Sequence, residues 1–142
     1  RERTAPPIKT ALKAITTNVP VPVKLSEGIS QSVGAMYSEK DNTVYVARGV
    51  EGNELFFALS RELARAHSGA NTFVCDCAAN VACLRYGVPA KYCDRIPEIA
   101  ALESREKRSA LNIVRDAACE IAERVDRNLF AERQQSRNDP VR

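Results

Sequence analysis

Apolar residues along the chain follow two kinds of spacing, one typical of helices and one typical of strands. Ile8 to Thr16 carries apolar residues at helical intervals after a pair of prolines, which predicts a short helix. Two prolines within Asn18 to Val23 remove backbone donors, so we expect this segment to be extended and to lie at a sheet edge. Gly34 to Tyr37 and Thr43 to Ala47 flank a polar pentapeptide, and the alternating, β-branched character of the second segment predicts a β-hairpin.

Three stretches with helical spacing follow the hairpin. The first, Glu51 to His67, carries one apolar stripe and is followed by a glycine, which predicts a helix and its end. The second, Thr72 to Tyr86, is rich in alanine and also precedes a glycine, with Thr72 as the candidate N-cap. The third runs from Pro97 to about Glu132 and predicts one long helix or two consecutive helices.

The order of these elements predicts an α+β fold with an N-terminal helix, a small mostly antiparallel sheet, two central helices and a long C-terminal helix. A length of 142 residues with 44% apolar residues suits one domain with a packed core. We expect residues 8–132 to form this domain, residues 1–7 to be a linker or tail, and residues 133–142 to be a polar tail. Both ends are typical of segments that continue into a longer protein.

Composition narrows the classes of function. The formal net charge of +3 is small and evenly spread, which does not favour nucleic-acid binding by this domain. No apolar run approaches the roughly 20 residues that span a bilayer, so we expect no membrane partner. The five cysteines show no framework spacing and no signal-peptide core precedes them, which predicts reduced thiols and a cytoplasmic location.

The candidate chemistry lies in the first central helix, within Arg61-Glu62-Leu63-Ala64-Arg65. In the zinc peptidase motif H-E-x-x-H, two histidines one helical turn apart bind Zn²⁺, and the glutamate between them polarises the bound water as general base. Glu62 occupies the position of that base. Arg61 and Arg65 occupy the two histidine positions.

This segment resembles the active helix of the zincin-like metallopeptidase domains of ImmA/IrrE-type and ArdC-type antirestriction proteins of mobile elements. The likeness extends upstream to the hairpin Tyr37 to Val46 and downstream to Phe73 to Val88, which is similar to the second helix of the family. It also includes the turn Arg95 to Ile99 that leads into a long helix. The resemblance implies a zincin-like fold and places the third, acidic metal ligand of the family at Asp76.

The altered motif predicts that the site is inactive. A guanidinium group is permanently protonated and has no lone pair for a metal, so we expect no zinc, no other cofactor and no catalytic residue at Arg61, Glu62, Arg65 and Asp76. The resemblance then implies a pseudoenzyme, a regulatory module of a larger mobile-element protein that binds a protein or peptide in the former substrate cleft.

The carboxylates of the former site need a counter-charge if they are desolvated. We therefore predict that Arg61 and Arg65 replace the metal as cations and clamp Asp76, and with it Glu62. The simpler interpretation is that both arginines lie on a solvated face.

Two other functions stay open from the sequence. A metal-dependent hydrolase could draw an unusual zinc ligand set from His67, Cys75, Asp76 and Cys77, since imidazole, thiolate and carboxylate all bind zinc. An anion or nucleic-acid site could use Arg61 and Arg65. Buried, unreactive thiols are the simpler interpretation of the cysteines.

Overall fold

The computed structural model describes residues 5–89 and 104–138, and within these ranges it confirms the α+β class. Four helices and three strands follow one another in the predicted order. In chain order they are α1 (Ile8–Thr16), β1 (Val23–Ser26), β2 (Ala35–Ser38), β3 (Thr43–Ala47), α2 (Gly52–Ser68), α3 (Thr72–Tyr86) and α4 (Ser104–Asn138).

The three strands form a sheet in the order β1-β3-β2, with β3 in the centre. The predicted hairpin is confirmed, because β2 pairs antiparallel with β3. The prediction of a mostly antiparallel sheet is wrong, because β1 pairs parallel with β3 and the sheet is mixed. The chain crosses from β1 to the opposite side of β3 before it forms the hairpin, and this crossover sets the direction of β1.

The proline segment leads into the sheet edge. Strand β1 begins only at Val23, but the carbonyl of Pro22 already accepts a hydrogen bond from the backbone N–H of Val44 at 2.9 Å. The prolines thus lie before the strand, where a missing donor costs no ladder bond.

Both central helices begin and end close to their predicted bounds. Helix α2 ends at Gly69, which adopts the left-handed conformation (φ 67°) and donates to the carbonyl of Arg65. Helix α3 has the predicted bounds, but the prediction of Thr72 as its N-cap is wrong. The side chain of Asn71 caps the helix by accepting from the N–H of Val74 at 3.0 Å, and Thr72 is the first helical residue.

The core lies between the sheet and the four helices, including α1, whose Ile15 is fully buried. The apolar stripe of α2 is buried, with Phe56, Leu59 and Leu63 at most 2% exposed. Helix α3 contributes small side chains, including Cys75 and Cys83, which are both fully buried. These small residues allow α3 to pack closely along α2.

Helix α4 is 35 residues long, which corresponds to about 52 Å. It buries one stripe of residues against the body, including Ile121 and Val125. The helix continues to Asn138, through residues that the sequence assigned to a polar tail, and the predicted start at Pro97 lies outside the described residues. No helix of residues 5–89 and 104–138 is long and apolar enough to cross a membrane.

Side chains of α4 also donate hydrogen bonds to the backbone carbonyls at the C-terminus of α1, which has no glycine cap. Arg124, only 4% exposed, donates to the carbonyl of Ile15 at 2.6 Å and pairs with Glu120 at 3.2 Å. Asn128 donates to the carbonyls of Ala14 and Thr17, both at 2.8 Å. Carbonyls that a helix end leaves without intrahelical partners are thus bound by side chains of another helix.

Substitution of Arg124 by alanine tests this contact. The variant leaves the Ile15 carbonyl and the Glu120 carboxylate without their cationic partner, so we expect the free energy of unfolding to fall by about 3 kcal/mol. Arg127→Ala, on the exposed face of the same helix, is the matched control and should change it by less than about 0.5 kcal/mol. Urea denaturation followed by circular dichroism measures both values. Equal losses in the two variants would show that the contact contributes nothing specific.

Candidate functional site

The Arg61–Arg65 turn is helical and faces the sheet. Both arginines and Glu62 lie in the second half of α2, on the side that packs against β2. Glu62 is one of the few charged residues of the described chain that is buried, with 3% of its surface exposed. A buried carboxylate must be bonded to hydrogen-bond donors or cations, which its neighbours have to supply.

Three donors bind the carboxylate of Glu62. The Nε atom of Arg61 lies 2.6 Å from Oε2, and the Nε atom of Arg65 lies 3.2 Å from Oε1. The backbone N–H of Tyr37, on β2, donates to Oε1 at 2.8 Å. Both carboxylate oxygens are therefore engaged by groups of the protein. We refer to Arg61, Glu62 and Arg65 as the Arg-Glu-Arg cluster.

The two arginines also bind groups outside the cluster. The Nη2 atom of Arg61 donates to the carbonyls of Val33 and Ala35, both at 2.9 Å. The Nη2 atom of Arg65 donates to the hydroxyl of Thr72 at 3.0 Å. The cluster therefore connects α2 to the strand β2 on one side and to the start of α3 on the other.

The clamp forms on Glu62. Both guanidinium groups have its carboxylate as a partner. Asp76 lies half-buried near the start of α3, where its backbone carbonyl accepts from Asn80 at 3.0 Å. The predicted counter-charge is thus present at Glu62, and the predicted clamp on Asp76 stays a prediction.

His67 points away from the cluster. Its Nε2 atom lies 2.9 Å from the carboxylate of Asp116 on α4. No three His, Cys, Asp or Glu side chains of the described ranges lie close enough together to hold a metal ion. The ligand set His67, Cys75, Asp76 and Cys77 stays a prediction that a measurement of metal content can test.

The cysteines differ in burial. Cys75 and Cys83 are fully buried, Cys77 is half-buried, Cys119 on α4 is exposed, and Cys93 lies outside the described residues. Burial raises the pKa of the Cys83 thiol to about 12. Burial also raises the pKa of the Cys75 thiol, which the nearby charge of Arg65 partly offsets. The interpretation as buried thiols is confirmed for Cys75 and Cys83 and is wrong for Cys119.

A groove of about 330 Å³ lies beside the cluster, between the loop before β2 and the first half of α2. The sequence did not indicate this groove, because the loop that forms one wall carries no motif. Arg61 lines the groove, and Phe57 and Ala58 supply apolar surface. Polar residues complete the wall, among them Gln31, Glu51, Asn53 and Glu54.

No protein-family model matches this chain, and comparison with curated proteins and with solved structures finds no match either.

Differences in thiol burial predict different reactivity. At pH 8 a thiol with a pKa of about 12 is thiolate in only about one molecule in ten thousand, and the thiolate is the reactive form. We expect iodoacetamide to modify the exposed Cys119 in the folded protein and to modify Cys83 only after unfolding in urea. Mass spectrometry of proteolytic peptides measures each site. Equal labelling of both residues in the folded protein would contradict the packing of α3.

Substitution of Glu62 by alanine tests the cluster as a structural unit. The variant removes the shared partner of two guanidinium groups and leaves the Tyr37 N–H without its acceptor, so we expect the free energy of unfolding to fall by about 3 kcal/mol. Glu123→Ala, at an exposed position of α4, should change it by less than about 0.5 kcal/mol. A loss in Glu62→Ala as small as that of the control, measured by urea denaturation, would show that the cluster does not stabilise the fold.

Proposed function

We propose that this chain is a catalytically inactive domain derived from a zinc peptidase, and that it serves as a cytoplasmic protein- or peptide-binding module of a larger mobile-element protein. The observation that carries the proposal is the closed Arg-Glu-Arg cluster. It occupies the turn on which a zinc peptidase would hold its metal and its general base.

The bonds of Glu62 argue against the role of a general base. That role requires a carboxylate oxygen free to accept a proton from a metal-bound water. Both oxygens of Glu62 instead accept bonds from Arg61, Arg65 and the Tyr37 N–H, at 2.6 to 3.2 Å. A positively charged pair one turn apart also repels a divalent cation.

The order of elements supports the proposed origin. The hairpin β2–β3 precedes the helix with the altered motif, and α3 follows it, which is the order implied by the resemblance to ImmA/IrrE-type and ArdC-type domains. In that comparison Asp76, near the start of α3, corresponds to the third ligand of the lost metal site.

A binding role is supported by the groove beside the cluster. The groove has an apolar side formed by Phe57 and Ala58 and a polar rim that includes Glu51 and Asn53. Apolar walls with a few polar groups are typical of sites that accept a side chain or short segment of a partner.

Restoring the two histidines tests the proposal. We expect the purified wild-type chain to contain no stoichiometric zinc, and the Arg61→His/Arg65→His variant to bind about one zinc per chain through a rebuilt H-E-x-x-H motif. Asp76 is the third ligand in this proposal, so adding Asp76→Ala should abolish the gain. Inductively coupled plasma mass spectrometry after incubation with zinc and desalting measures the metal content.

The control variant is Arg61→Gln/Arg65→Gln, which removes both charges without supplying imidazole and should bind no zinc. Circular dichroism establishes that each variant is folded. Stoichiometric zinc in the wild-type chain would overturn the inactive assignment. A folded double-histidine variant that binds no zinc would overturn the proposed origin from a metal site.

A further inference from the structure

Strand β2 lies at an edge of the sheet, because its one neighbour in the sheet is β3. An edge strand presents a row of backbone N–H and C=O groups to which a strand of another molecule can add. The fate of these groups on β2 therefore decides whether the sheet can be extended there.

The backbone groups of β2 alternate between the two sides of the strand. The carbonyl of Gly34 points toward β3 and accepts from the N–H of Ala47 at 2.9 Å. Within β2 the alternation consequently turns the carbonyl of Ala35 and the N–H of Tyr37 to the open side. Val33 lies in the turn before the strand, and its carbonyl also faces Arg61.

Side chains of α2 bind these three outward-facing groups. One nitrogen of Arg61 donates to the carbonyls of Val33 and Ala35, and Glu62 accepts from Tyr37. Donation to one residue of a strand and acceptance from the residue two positions later is what a single residue of a parallel neighbouring strand does. Arg61 and Glu62 together reproduce that pattern.

We infer that Arg61 and Glu62 act as an internal substitute for a neighbouring strand, which seals the free edge of β2 against strand addition. The two side chains are fixed in this position, because their exposed fractions are only 16% and 4% and they are bonded to each other at 2.6 Å. The inference depends on these bonds alone and not on the proposed origin of the domain.

The opposite edge of the sheet is protected in another way. Strand β1 has only four residues and follows two prolines, and both features are typical of edges that do not aggregate. Because Pro22 points its carbonyl toward β3, the alternation turns the N–H of Leu25 outward. Leu25 is 60% exposed, and among the side-chain hydrogen bonds of residues 5–89 and 104–138 none has the Leu25 N–H as its donor.

A sealed β2 edge constrains how a partner binds. Strand addition at Val33 to Tyr37 requires the partner to displace Arg61, whereas insertion of a side chain into the adjacent groove does not. We therefore expect recognition in the groove to use side chains and not backbone pairing.

Arg61→Ala and Arg65→Ala form a matched pair that tests the seal. Each variant removes one guanidinium group from Glu62, but only Arg61→Ala uncovers the carbonyls of Val33 and Ala35. We expect the weight-average mass of Arg61→Ala in sedimentation velocity to rise with concentration to at least about twice that of the wild-type chain. Arg65→Ala should sediment like the wild type. A folded Arg61→Ala variant that sediments like the wild type, or equal association of the two variants, would overturn the inference.

Amide hydrogen exchange in the wild-type chain provides a second test that needs no variant. We expect the Tyr37 amide to exchange at least about tenfold more slowly, relative to its intrinsic rate, than the outward-facing amide of Leu25 on the opposite edge. Nuclear magnetic resonance measures both rates in one sample. A Tyr37 amide that exchanges as fast as that of Leu25 would overturn the seal, even if both arginine variants failed to fold.

Discussion

A carboxylate buried among apolar side chains must be matched by positive charge or by N–H donors, and at Glu62 this requirement organises the centre of the molecule. Two guanidinium groups and one backbone N–H meet it, within 2.6 to 3.2 Å. The donors come from α2 itself and from β2, and Arg65 extends the network to α3. Loss of the carboxylate would leave two cations and a strand N–H without their partner, which is why one buried charge fixes the relation of two helices and a strand.

The same positions can support chemistry or structure, depending on the side chains they hold. A metal centre needs lone pairs that converge on one point and a base with a free oxygen. Arginine supplies hydrogen-bond donors that diverge in a plane, so it spreads contacts outward to Glu62, Val33 and Ala35. With guanidinium in place of imidazole, the side chains no longer direct lone pairs at one metal ion. They direct N–H donors at several separate acceptors. This geometry is the physical basis of the proposed inactive domain.

The spacing of apolar residues predicted the helices. The features that the sequence could not predict depend on how segments distant in the chain pack together. The apolar stripe of α2 and the glycine after it fixed that helix to within one residue at each end. The parallel direction of β1 depends on a crossover that leaves no periodic signal. The partners of the two guanidinium groups depend on how α2 packs against β2 and α3. The bonds to the carbonyls of Val33 and Ala35 could not be predicted from a motif, because every residue has a carbonyl.

The identity of arginine, and not merely its charge, follows from the number of bonds that one side chain must make. Arg61 serves a carboxylate through Nε and two carbonyls through Nη2 at once. A lysine carries its three donors on a single nitrogen and cannot reach these separate acceptors with the same geometry. A histidine has two donors at most and loses its charge near neutral pH. Only a planar group with several separated N–H donors can both neutralise Glu62 and cover the strand edge, so one residue stabilises the buried carboxylate and the edge of the sheet.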